Sequence, residues 1–86
     1  MTAEKGDTDA IFAWGSMFQK GERVEINKED AAKYYKMSSD LGNENATFKY
    51  AVMLLKGEGV KAVIKQALMY LQMLAENGDE EAINLL

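Results

Sequence analysis

The stretch Ala10-Ile-Phe-Ala-Trp-Gly-Ser-Met-Phe-Gln-Lys-Gly-Glu-Arg-Val24 returns 36 residues later as Ala46-Thr-Phe-Lys-Tyr-Ala-Val-Met-Leu-Leu-Lys-Gly-Glu-Gly-Val60. The same interval carries Ala31, Tyr34 and Met37 onto Ala67, Tyr70 and Met73, and separates Gly6, Gly42 and Gly78. Set against each other, Asp7–Gly42 and Asn43–Gly78 share 11 identities in 36 positions, too many for chance. A fixed period of roughly 20 to 50 residues marks a protein built by stacking one supersecondary unit.

Each unit reads as two helices. The first runs from Asp7 to Lys20, its acidic start suited to the positive end of a helix dipole. Ala10, Trp14, Met17 and Phe18 recur on one side of it, predicting a buried stripe. Gly21 is a stop that accepts the left-handed conformation. Asn27, with Asp30 three residues on, is an N-cap for a second helix from about Lys28 to Leu41. Ala31, Tyr34, Tyr35 and Ser38 share one face of it, and Gly42 ends it. The second copy predicts helices over Asn43 to Lys56 and from Val63 or Ile64 to Asn77. Ala10, Gly15 and Ala31, like Ala46, Ala51 and Ala67, are expected where helix backbones approach closely, and Trp14, Phe18, Tyr34 and Tyr35 fill the space between layers. The fold class is therefore all-α, an α-solenoid of helix-turn-helix repeats.

The repeat frame divides the chain into residues 1–6, the tail of a preceding repeat; 7–42, repeat one; 43–78, repeat two; and 79–86, the start of a third. About two full repeats with partial ones at both ends is short for a stack that usually needs about three. The frame thus predicts either a piece of a longer array or a chain completed by self-association.

The pattern Ala-x-Phe-x-Trp-Gly-x-Met-Phe-x-x-Gly-x-x-Val over residues 10–24, followed by Asn27, Ala31, Tyr34-Tyr35 and Gly42, resembles the Sel-one-like repeat, a relative of the tetratricopeptide repeat. The second copy matches it at Ala46, Phe48, Met53, Gly57, Gly59, Val60, Ala67 and Gly78. The resemblance covers nearly the whole chain and implies a right-handed helical solenoid that acts as a scaffold or adaptor for other proteins. Three departures stand out: Arg23 replaces the second glycine that Gly59 keeps, Val63 replaces an Asp or Asn cap, and the cysteines of the disulfide-bridged secreted branch are missing.

Composition narrows the function. The net charge of −4 among 86 residues offers no basic excess for nucleic-acid phosphates. With no cysteine and no histidine, thiol nucleophiles, disulfides, cysteine–histidine zinc sites and histidine triads are excluded. Glu22/Glu25, Glu29/Asp30 and Asp79/Glu80/Glu81 fall at helix starts or in loops, where dipole and solubility explain them. Gly57-Glu58-Gly59 lacks the lysine-threonine continuation of a phosphate loop. The expectation is no enzyme, no cofactor and no metal. Met1 to Asp7 is too charged for a signal peptide, and the uncharged run from Gln66 to Ala75, as long as any in the chain, is half a membrane span. A cytoplasmic chain without membrane contact is the default.

Two surfaces are candidates for binding. A concave groove along the first helices would be lined by Asp9, Ser16, Lys20, Asn45, Lys49, Val52 and Lys56, the lysines suiting an acidic peptide or a C-terminal carboxylate; a solvated face is the alternative. An apolar surface is expected at Ile64, Leu68, Met69, Leu85 and Leu86, because the run Ala67-Leu68-Met69-Tyr70-Leu71 is apolar on all sides. Its cover would be further repeats of the same chain, a second copy in a homodimer or domain swap, or a foreign partner. A regulatory segment of a larger signalling protein is a further reading.

Overall fold

Three asparagine or aspartate side chains set where the helices begin. Asn27 accepts the backbone N–H of Asp30 at 3.0 Å, Asn43 that of Ala46 at 3.0 Å, and Asp79 that of Ala82 at 3.1 Å. In the computed structural model, which describes residues 5–86 with side chains from Thr8 onward, they open α2 (Lys28–Asp40), α3 (Glu44–Lys56) and α5 (Glu80–Leu85). Helix α1 spans Lys5–Lys20, and α4 spans Ile64–Glu76 behind Val63, which offers no side-chain cap. No strand is present among the described residues.

The two hairpin loops close alike. Gly21 and Gly57 adopt φ of 76° and 72°, and the N–H of each reaches the carbonyl four residues back, Met17 at 2.8 Å and Met53 at 2.7 Å. The N–H of Asn27 then bonds the Phe18 carbonyl, and that of Val63 the Leu54 carbonyl, tying each loop to the last turn of its own first helix.

Successive helices pack in chain order, so α2 lies between α1 and α3, and α4 between α3 and α5. The main core joins the repeats through Ala31, Ala32, Tyr35, Ala46, Tyr50, Met53, Leu54 and Ala67, with Phe12, Phe18 and Tyr70 against it. A smaller cluster of Ala51, Leu71, Leu74 and Ala82 seats α5 on the second repeat. The buried Ser38 hydroxyl donates to the Thr8 carbonyl at 2.7 Å, so burial leaves it satisfied.

Three expectations about α1 need correction. Trp14 and Ala10 are not in a buried stripe: Ala10 is exposed and Trp14 is 48% exposed, while its counterpart Tyr50 is only 7% exposed. The local geometry is the same, Trp14 lying edge-on to Tyr34 at 5.8 Å and Tyr50 edge-on to Tyr70 at 5.9 Å. What differs is the layer beneath, since Tyr50 rests on α2 of the preceding repeat. Gly15, for its part, makes room for a ring rather than a backbone: a Cβ there would lie 2.8 Å from Cδ1 of Tyr35. The second repeat solves the same contact with Ala51 against Leu71, moving bulk from one side to the other. Helix α1 also begins at Lys5, so Gly6 lies within it instead of closing an earlier helix; residues 1–4 of that supposed tail are outside the described residues.

The loop of repeat two sits directly on the start of α2. A Cβ on Gly59, at φ 71°, would run into the Lys28 carbonyl carbon and oxygen. Lys28 Nζ adds an exposed ion pair to Glu58 Oε2 at 3.1 Å. Arg23, the counterpart of Gly59, holds φ 67° as a non-glycine residue. Gly59→Ala is therefore expected to cost about 2–4 kcal/mol by chemical denaturation, from overpacking plus left-handed strain. Arg23→Gly should change stability by no more than about 1 kcal/mol, because relieved strain is offset by a more flexible unfolded chain.

Candidate functional site

The row of first helices carries the residues expected to line a groove. Asp9 and Asn45 are brought together with Gly42, Asn43 and Glu44 around an open polar depression of about 400 Å³. Asn43 Nδ2 donates to Asp9 Oδ1 at 3.1 Å, so Asp9 already helps to hold repeat one against the cap of α3. Glu44 accepts a longer bond of 3.5 Å from Asn77.

The other groove candidates are spread along α1 and α3. Lys20 and Lys56 end the two helices, where a cation meets the negative end of the dipole. Both are exposed, as is Lys49 in the middle of α3, and Val52 is half-buried. Lys56 reaches Glu58 only at 3.9 Å, while Lys20 and Lys49 have no ion-pair partner among the described residues. Ser16 has a different task. It is half-buried and donates to the Tyr35 hydroxyl, which in turn donates to Gln19 Oε1 at 2.7 Å.

Burial pushes the Tyr35 phenol up, partly offset by that Ser16 hydrogen bond. Tyr50 is pushed up by burial as well, with the Lys36 ammonium pulling the other way. Lys36 is itself held up by its hydrogen bond and charge pairing with Asp40, at 3.1 Å.

A second concavity, on the outer side of α4, was not foreseen as a groove. Gln66, Met69, Tyr70 and Met73 enclose about 240 Å³ of mainly apolar character. Its signal in the sequence is the exchange of Asp30 and Lys33 in repeat one for Gln66 and Met69 in repeat two. Ile64, Leu68 and Met69 on α4, and Leu85 and Leu86 at the end of α5, are all exposed. Among the described residues there is no group of three or more metal-ligating side chains, and no helix is long and apolar enough to cross a membrane.

Paired antiparallel helices stacked in chain order, with the same left-handed glycine and loop bonds closing each pair, define a tetratricopeptide-like helical repeat protein. More specifically, the chain belongs to the Sel1 repeat family, whose model matches residues 8–43 and 45–79. Similar solved structures include cysteine-rich protein B of Helicobacter pylori, with a TM-score of 0.85, 22% identity, and coverage of 94% of this chain and 61% of that one. A Sel1 repeat protein from Oxalobacter formigenes aligns with a TM-score of 0.83 and 27% identity over 87% of this chain and 31% of that one. A protective antigen of uropathogenic Escherichia coli strains, displaying an SLR fold, aligns with a TM-score of 0.84 and 29% identity over 93% of this chain and 17% of that one. The chain thus spans less than two thirds of each of these proteins. Among curated proteins no significant match is found. The likeness to the cysteine-rich protein is one of fold alone, reached here without a single cysteine. Membership of the Sel1 repeat family supports a helical-repeat module of the protein-interaction kind.

Raised phenol values make an alkaline prediction. Their contribution to stability is complete below the ordinary value of about 10 and is lost as pH rises through the higher folded values. Denaturation midpoints should therefore fall above about pH 10. Tyr35→Phe should flatten that fall while lowering neutral-pH stability by about 1 kcal/mol through the lost bond to Gln19. Phenolate absorbance titrated alongside unfolding checks both.

Proposed function

We propose that the chain is a protein-binding scaffold unit that takes an acidic segment, or a C-terminal carboxylate, of another protein across the first helices of its repeats. The observation that carries this reading is the pair Lys20 and Lys49, exposed on α1 and α3 without an ion-pair partner among the described residues, in a chain of net charge −4. Free cations on an acidic protein are poised to meet a carboxylate, and Lys56 is only loosely engaged. Asp9, Asn43 and Asn45 at the polar depression supply amide and carboxylate groups that suit the backbone of an extended peptide. The same reading treats the unit as part of a longer adaptor array. Its support is α5, which is capped by Asp79 and buries Ala82 as α3 buries Ala46.

Titration of labelled chain with peptides ending in an acidic segment, followed by amide chemical shifts, tests the proposal. Shifts should gather on α1 and α3 and shrink with added salt. Lys20→Glu and Lys49→Glu should each weaken binding by roughly threefold to tenfold without changing helix content. Shifts confined to α4, or binding indifferent to both lysines, would contradict the reading.

A further inference from the structure

The outer face of α4 stays uncovered whatever stacks on the end of the repeats. In α2, the whole second repeat is already in place, and it buries Ala32 completely while leaving Lys33 and Met37 exposed. Their counterparts in α4 are Leu68, Met69 and Met73. A third hairpin stacked in the same way would cover Leu68 and leave Met69 and Met73 in water. Exposure of the second methionine position bears this out, at 43% for Met37 with a following repeat and 46% for Met73 with only the short α5. Yet this is where the chain has removed its charges. Lys28, Asp30, Lys33 and Lys36 of α2 become Ile64, Gln66, Met69 and Gln72 of α4, and Met69 is 63% exposed beside the groove it lines. An adaptable apolar strip that the repeat stack cannot bury calls for a partner outside the stack.

We propose that this partner is a second copy of the chain, with α4 packed antiparallel on its counterpart across a two-fold axis. Between Ala62 and Gly78 the only charged residues are Lys65 and Glu76, both exposed and neither ion-paired among the described residues. They stand eleven residues apart, about three helical turns, and so share one stripe of the exposed face. An antiparallel pair centred between Tyr70 and Leu71 sets Lys65 opposite the partner's Glu76, and Glu76 opposite the partner's Lys65. The same register sets Leu68 against the partner's Met73 and Met69 against the partner's Gln72. The stripe is neutral in a chain of net charge −4, so it is a place where two copies can meet without acidic repulsion. A head-to-tail contact that repeats the internal stacking is closed. Helix α5 already occupies the place on α4 that a first helix would take, and Arg23 carries a Cβ where Gly59 needs none. An isologous contact is the arrangement left to this face.

Light scattering of the full chain over a roughly hundredfold concentration range should show a monomer–dimer equilibrium. Lys65→Glu alone and Glu76→Lys alone should each weaken the dimer roughly tenfold or more, since symmetry makes either change strike two ion pairs. An equimolar mixture of the two variants should recover a dimer at least as tight as the original, because every pair is then opposite in sign. Met69→Lys should remove the dimer with circular dichroism unchanged. A monomer at every concentration would overturn the proposal, as would a mixture no tighter than either variant alone. So would a monomer whose Met69 and Met73 methyl signals move only when a foreign amphipathic peptide is added.

Discussion

Everything else in the molecule depends on how closely the second repeat can approach α2. Ala31 and Ala32 have no accessible surface, and Gly59 leaves room for the Lys28 carbonyl at a distance no Cβ would tolerate. Small groups here let α3 and its loop settle on α2, and the large residues Tyr50, Met53 and Leu54 then close over them. In a stack where each unit touches only its neighbours, this junction is the main source of cooperativity between the repeats. Ion pairing contributes little by comparison: Lys28–Glu58 is exposed, and pairs of that kind are worth about 0–1 kcal/mol.

Helix positions were legible because the information is local. Asn27, Asn43 and Asp79 cap, Gly21 and Gly57 turn the chain, and the expected helix limits agree with those observed to within one or two residues. Even the missing cap at Val63 could be read. Burial was harder, because periodicity reports which face of a helix is apolar and not whether a neighbour lies on it. Trp14 and Tyr50 occupy the same repeat position, yet among the described residues only Tyr50 has a repeat beneath it. Gly15 follows the same rule, since its partner is the Tyr35 ring from another helix and nothing local signals that.

The binding surfaces divide the same way. The lysines of the first helices could be picked from their position in the repeat, but Ser16 belongs to the Tyr35 hydroxyl and Asp9 is already engaged with Asn43. On α4, Leu68 and Met69 are adjacent in sequence and equally apolar, so the sequence treats them as one patch. Comparison with Ala32 and Lys33 separates them: one faces along the stack, the other away from it. The chain thus carries two separate candidate surfaces, exposed lysines on α1 and α3 and exposed apolar side chains on α4.

The most direct test of the close α2–α3 junction is equilibrium urea unfolding followed by two probes at once. Trp14, the single tryptophan, reports on repeat one, whereas far-ultraviolet circular dichroism reports on all helices together. If the junction joins the repeats into one cooperative unit, the two curves coincide with a single midpoint and slope. A Trp14 transition displaced from the circular dichroism curve would mean that the repeats unfold separately, and that the contact of Gly59 with Lys28 does not bind them into one fold.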